Sequence, residues 1–203
     1  MTLSNTQVSK RHKARKRLGP WIMFLKGFLK HPVMVGSIIP STRTLINHML
    51  SRVDWHNTRV FVEYGPGVGT FCTHVLHNLR PDATYIAIDT NPDFVAYLSE
   101  TIQDSRFHAV LGSAADVEKI VRDAGFENAD YILSGLPFST LPGGVGPAIA
   151  AATAKILRPG GAFLVYQYRA KVLNFITPHF TRIDDAMEYW NIPPCWLYWA
   201  WKD

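Results

Sequence analysis

From residue 59 onward the chain alternates between short apolar runs and segments of helical periodicity. Residues 59–64 (RVFVEY), 84–89 (TYIAID), 107–111, 130–134 (DYILS) and 162–168 read as strands. Their near-continuous apolar character is that of strands buried on both faces. Between them, residues 69–79, 92–103, 114–123 and 147–157 read as helices, and Arg158-Pro159-Gly160-Gly161 makes the last turn. Such alternation predicts an α/β fold, a doubly wound Rossmann-like sheet that is mostly parallel. Residues 180–184 and 195–201 read as strands with no crossover helix between them, which predicts an antiparallel C-terminal edge strand. Ahead of the alternation lie two N-terminal helices. In residues 18–30, Pro20 suits a first turn, and Trp21, Phe24, Leu25 and Phe28 share one face. The second spans residues 42–52, with Ser41 as its cap. No repeat or second domain is visible, so the basic arm and helices of residues 1–53 belong with the domain of residues 54–203.

Charge divides the chain more sharply than its net +5 suggests. Residues 1–53 hold ten Lys/Arg and no Asp/Glu, whereas residues 54–203 hold eleven against sixteen. A segregated basic arm points to an anionic partner, either nucleic acid or an acidic membrane surface. Cys72 and Cys195 lie far apart, so neither a disulfide framework nor a metal site is expected, and a reducing cytoplasm is the natural compartment. The longest charge-free stretch, residues 131–154, is broken by Pro137, Pro142 and Pro147 and cannot be a spanning helix.

The candidate chemistry sits at the exit of the first strand. Glu63-Tyr64-Gly65-Pro66-Gly67-Val68-Gly69 runs into a helix, and glycines there let the backbone approach a ligand closely. The spacing is G-x-G-x-G. A dinucleotide fingerprint would need glycine where Thr70 stands. Asp89 ends the second strand and suits the two ribose hydroxyls of an adenosine. Glu63, beside the loop, suits an ammonium group, directly or through water. The competing reading of Asp89 is a solvated strand end or a cap for the following helix.

With EYGPGVG, AID at 87–89, LGSAADV at 111–117, SGLPFS at 134–139 and LRPGGAF at 157–163, residues 55–203 resemble a class I S-adenosylmethionine-dependent methyltransferase. The resemblance implies S-adenosyl-L-methionine as cofactor and S-adenosyl-L-homocysteine as product. It implies that Glu63, Gly65, Gly67 and Gly69 hold the methionine part, Asp89 and Thr90 the ribose, and Gly112, Ser113 and Ala114 the adenine. Ser113 stands where related families often carry Asp, with Asp116 as a possible replacement. Ser134, Gly135 and Leu136 complete the expected lining. Methyltransferases of exocyclic base amines carry Asn or Asp where this chain has Gly135. The S-G-L-P sequence, with residues 28–41 (FLKHPVMVGSIIPS), is similar to bacterial phospholipid N-methyltransferases, which methylate phosphatidylethanolamine stepwise towards phosphatidylcholine.

That resemblance implies a peripheral enzyme at the inner face of the cell membrane, with an anionic surface and phosphatidylethanolamine as partners and no nucleic acid. Lys10, Arg11, Lys13, Arg15, Lys16 and Arg17 would meet anionic lipid, and Trp21, Phe24, Leu25 and Phe28 would enter the headgroup boundary. The alternative is an ordinary helix packed on the domain beside a solvated basic tail. Tyr166 and Tyr168 are the first candidates for the headgroup amine, with His31 and His179 as further candidates for the base. Arg169 and Lys171 are candidates for the lipid phosphate. Trp196, Trp199 and Trp201 are expected in core packing and an edge strand, with the membrane interface as the alternative. Two other readings stay open: an RNA adenine N6-methyltransferase, which Gly135 disfavours, and a non-catalytic domain that binds membrane or nucleic acid.

Overall fold

A computed structural model describes residues 42–203. The proposed first helix, the basic cluster Lys10–Arg17, Trp21, Phe24, Leu25, Phe28 and His31 lie outside the described residues. Helix α1 (Arg43–Leu50) is capped by Thr42 rather than by Ser41: the Thr42 side chain accepts from the Leu45 N–H at 3.2 Å. Its buried Leu45, Ile46, Met49 and Leu50 form one face.

Seven strands follow, β1 (Val60–Tyr64), β2 (Thr84–Asp89), β3 (Phe107–Leu111), β4 (Ala129–Ser134), β5 (Leu157–Gln167), β6 (Arg182–Glu188) and β7 (Cys195–Trp201). Their order in the sheet is β3-β2-β1-β4-β5-β7-β6. The first five pair in parallel, and β7 runs antiparallel to both β5 and β6. The reversed strand at this end is β7, which sits inside, while β6 forms the rim. The expected strand over residues 180–184 starts later and runs longer, because Phe180 is buried against Phe163, their rings 6.3 Å apart.

Crossovers are made by α2 (Cys72–Asn78), α3 (Pro92–Thr101), α4 (Val117–Asp123) and α5 (Val145–Ile156). Helix α2 begins three residues later than its periodicity predicts, because residues 67–71 are spent in turns. The segment expected as one helix over residues 114–123 divides into a tight 3₁₀ turn (Ala114–Asp116) and α4. A short helix α6 (Leu173–Ile176) leads from β5 towards β6.

Strand alternation sends Val60, Val62 and Tyr64 to one face with α4 and α5, and Phe61 to the other with α1, α2 and Leu98 of α3. Trp199 is fully buried and donates its indole N–H to the Met49 carbonyl at 2.9 Å. Large apolar side chains buried to this degree stabilise a fold by about 1.5–3 kcal/mol each.

The two ends of the sheet differ in chemistry. At the amino ends of the strands, charges pair: Arg80 with Asp82 at 2.8 Å, Arg106 with Asp104 at 2.7 Å, and Arg158 with Asp130. At the carboxyl ends the glycine loop and the mouth of the site lie where the strand order reverses, between β1 and β4.

Candidate active site

Three left-handed glycines shape the loop after β1: Gly65 (φ 65°), Gly67 (φ 56°) and Gly69 (φ 80°). Only glycine adopts this region without strain. The Gly65 N–H donates to the Ile88 carbonyl at 2.9 Å, which ties the loop to β2. A Cβ at Gly67 would meet no atom within 4 Å, so the loop's crest borders open space. At Gly69 a Cβ would fall 2.7 Å from Leu98 Cδ2, so this glycine serves packing between the loop and α3.

Asp89 faces that open space from the end of β2. One carboxylate oxygen accepts from the Gly67 N–H at 3.2 Å and the other from the Asn91 N–H at 2.8 Å. Each oxygen keeps a lone pair for a ligand hydroxyl. Burial raises its pKa, and the N–H donors of Asn91, Gly67 and Thr90 work against that rise. The cap of α3 is Asn91, whose side chain accepts from the Asp93 N–H at 2.9 Å. Capping therefore does not account for Asp89. Thr90 is exposed beside it.

Glu63 turns the other way. Its carboxyl is 2% exposed, accepts from the Tyr85 hydroxyl, and lies 3.8 Å from the Cys72 Sγ. Burial pushes its pKa up to about 7 and lifts those of Cys72 and Tyr85 as well. This cluster lies beneath the glycine loop, so Glu63 supports the loop from below and does not point its carboxylate into the open space. Sequence reasoning missed Tyr85 and Cys72 as its partners, because neither is adjacent in the chain.

Around the expected adenine position, the Gly112 N–H donates to the Asp89 carbonyl at 3.0 Å. Ser113 uses its hydroxyl to cap the 3₁₀ turn, accepting from the Ala115 N–H at 3.2 Å. Ala114 packs into the core, and Asp116 is exposed.

At the exit of β4, Ser134 is buried and accepts from the Leu136 N–H at 3.2 Å. Leu136 roofs Gly65, where a Cβ would fall 2.8 Å from its Cδ2. A Cβ at Gly135 would overlap the Tyr166 hydroxyl. Tyr166 thus occupies the volume that a side chain at 135 would need, with its ring stacked on Phe71 at 5.3 Å. The Leu136 carbonyl is already engaged by the Gln167 amide and the Phe138 N–H. This exit therefore offers neither a side-chain acceptor at 135 nor an idle Leu136 carbonyl.

Tyr168 is exposed just beyond β5, next to exposed Arg169 and Lys171. The Lys171 Nζ donates to the Ser139 carbonyl at 3.3 Å. His179 is not part of this constellation. It lies just before β6, whose first residue is level with Ala162 near the amino end of the parallel strands. A histidine passed over in the sequence, His74, lies one helical turn beyond Phe71, and its buried Nδ1 has no hydrogen-bond partner among the described residues. As expected, Trp199 is core, and Trp196 and Trp201 are partly buried. Among the described residues no cluster of His, Cys, Asp or Glu could hold a metal, and no helix is long and apolar enough to cross a membrane.

The architecture is that of class I methyltransferases. Precorrin-6y C5,15-methyltransferase from Geobacter metallireducens superposes with a TM-score of 0.65 at 16% identity, covering 83% of this chain and 94% of that one. The N-methyltransferase NodS from Bradyrhizobium japonicum, solved with S-adenosyl-L-homocysteine, gives 0.57 at 16% identity, covering 77% and 83%. In sequence, the chain is similar to ornithine lipid N-methyltransferase from Singulisphaera acidiphila: 29% identical over 186 residues, 88% of this chain and 94% of the relative. A family model, the TrkA-N domain, matches residues 66–140, the segment from the glycine loop to the exit of β4.

Proposed function

We propose that the protein is an S-adenosylmethionine-dependent N-methyltransferase of membrane lipids, acting on the headgroup amine of phosphatidylethanolamine at the inner face of the membrane. Similarity to an ornithine lipid N-methyltransferase supports the lipid amine as substrate class. The observation that carries the choice is Tyr166 against Gly135. A planar base amine needs acceptors at this exit to raise its nucleophilicity. An aliphatic amine, once deprotonated, is a nucleophile already and needs orientation instead.

When bound, the cofactor supplies a methyl group activated by a sulfonium centre, so positioning and desolvation are the protein's contribution. Gly67 leaves room for its amino-acid end, and the spare lone pairs of Asp89 receive the ribose hydroxyls. Ser113 and Ala114 border the adenine. The Tyr166 hydroxyl accepts a hydrogen bond from the incoming amine and aims its lone pair. The faces of Tyr166 and Tyr168 hold methylated ammonium products by cation–π attraction. The lipid ammonium must first lose a proton, and the orphaned Nδ1 of His74 is the acceptor we assign. Arg169 and Lys171 meet the lipid phosphate.

The test supplies methyl-labelled S-adenosylmethionine with vesicles containing phosphatidylethanolamine, with vesicles containing ornithine lipid, or with total RNA. Label should appear in phosphatidylethanolamine. Label in ornithine lipid alone would keep the class and change the substrate, and label in RNA alone would overturn the lipid reading.

A further inference from the structure

The large hydrophobic side chains left exposed among the described residues are not scattered. They are Leu111, Tyr168, Tyr189, Trp190 and Ile192. Leu111 ends β3 opposite Asp89, and Tyr168 follows the last residue of β5. The other three form the tip of the β6–β7 hairpin, which leaves the sheet at the pair Glu188–Cys195. The neighbouring pair, Met187–Trp196, is level with Gln167 through the β5–β7 register. All five therefore lie at the carboxyl end of the sheet, the end that carries the glycine loop and Tyr166. The paired charges of Arg80, Arg106 and Arg158 lie at the opposite end.

The tip inverts the usual order of a surface turn. Its polar groups face inward: Asn191 is 1% exposed, donates to the Pro193 carbonyl at 3.0 Å and accepts from the Thr42 N–H at 3.3 Å. Glu188 is buried, accepts from the Trp190 N–H at 3.0 Å and pairs with His48 at 3.0 Å. Its apolar groups face outward: Tyr189 is 74% exposed, Trp190 80% and Ile192 78%. Buried hydrogen bonds hold the backbone so that these three side chains project together.

We propose that this hairpin tip is a membrane wedge, inserted at the headgroup–acyl boundary so that the mouth of the site faces the lipid layer. The proposal rests on the lipid reading above. Tyr and Trp combine an apolar body with a polar edge and favour that boundary. Charge supports a bilayer as the occupant: the described chain begins at Thr42, which bonds to this tip, and the residues that precede it, 1–41, hold eight Lys/Arg and no Asp/Glu. An anionic leaflet would attract that segment while the tip inserts.

The full chain is tested on sonicated vesicles of phosphatidylethanolamine and phosphatidylglycerol. The variant Tyr189→Ser/Trp190→Ser/Ile192→Ser should sediment with vesicles at least about tenfold more weakly. Its affinity for S-adenosylhomocysteine and its methylation of a dispersed short-chain phosphatidylethanolamine should be unchanged. Equal vesicle binding would overturn the wedge, as would a change in oligomeric state with binding retained, which would make the tip a contact between copies. A milder variant, Trp190→Phe, guards against misfolding: in a Trp21→Phe background, bromine-labelled acyl chains should quench tryptophan fluorescence and lose most of that quenching when Trp190→Phe is added. Equal quenching refutes insertion. Loss of quenching without methylation of any lipid would sink the substrate reading and leave the wedge standing. Methylation with a negative insertion result would do the reverse.

Discussion

Replacing Glu63 by Gln should change how the stability of the fold depends on pH. The carboxyl is 2% exposed, and burial raises its pKa from 4.5 to about 7 despite hydrogen bonds from Tyr85 and Cys72. The folded chain therefore holds this proton more tightly than the unfolded chain does. The group favours folding fully below the unfolded pKa, and that contribution is lost as pH rises towards the folded value. The gap of about 2.5 units corresponds to roughly 3.4 kcal/mol over the whole window at about 1.36 kcal/mol per unit. Between pH 5 and 7.5 the part traversed is about 2–3 kcal/mol. Glutamine keeps an acceptor for the Tyr85 hydroxyl and never ionises. Urea unfolding of both proteins at several pH values, taken as a difference, cancels every other titrating group. The variant should gain about 2–3 kcal/mol on the wild type from pH 5 to 7.5 and nothing further above pH 8. Parallel profiles would mean that the Glu63 carboxyl titrates normally, and the account of a desolvated cluster under the loop would fail.

Asp89→Ala should weaken S-adenosylhomocysteine binding by about 1.5–3 kcal/mol in calorimetry, since it removes a charged acceptor and releases the Gly67 and Asn91 N–H groups. Wild-type affinity would refute the ribose assignment. Gly69→Ala combines a left-handed backbone with a clash at Leu98 and should lower unfolding stability by about 2 kcal/mol or more; a neutral result would remove the packing argument. Gly135→Ala should displace Tyr166, cost about 1–3 kcal/mol of stability and suppress lipid methylation while sparing cofactor affinity. His74→Gln should reduce kcat roughly a hundredfold or more with cofactor affinity intact. An unchanged kcat would leave His74 a packing residue.

Much of this architecture was legible because buried parallel strands advertise themselves as unbroken apolar runs. TYIAID and the run at 107–111 became strands with the bounds their patterns predicted. The start of α2 was hidden, because helical periodicity continues through Gly69 while that residue's left-handed backbone forbids a helix there. The inner place of β7 is a matter of which strands pair across the sheet, and local pattern does not encode it. In the site, glycine spacing and a strand-end carboxylate were visible in order along the chain. The inward turn of Glu63 was not, since it depends on a tyrosine of the neighbouring strand and a cysteine of the next helix. The hairpin tip was hidden for another reason: YWNIPP has the proline and asparagine of an ordinary turn, and only the structure shows the asparagine facing in and the aromatics facing out.

The volume shared by positions 135 and 166 has a consequence for how such proteins can diverge. β4 and β5 pair in register up to Ser134 and Val165, so the residues that follow, 135 and 166, meet in one volume. A descendant acquiring Asn at 135 must lose the tyrosine at 166 in the same step or pass through an overpacked intermediate. The two residues form a single evolutionary switch with a barrier between its settings. In a collection of homologues, a polar residue at 135 together with tyrosine at 166 should be almost absent. A library randomised at both positions should return the pairs small–large and large–small, and finding the large–large pair commonly would show that the barrier does not exist.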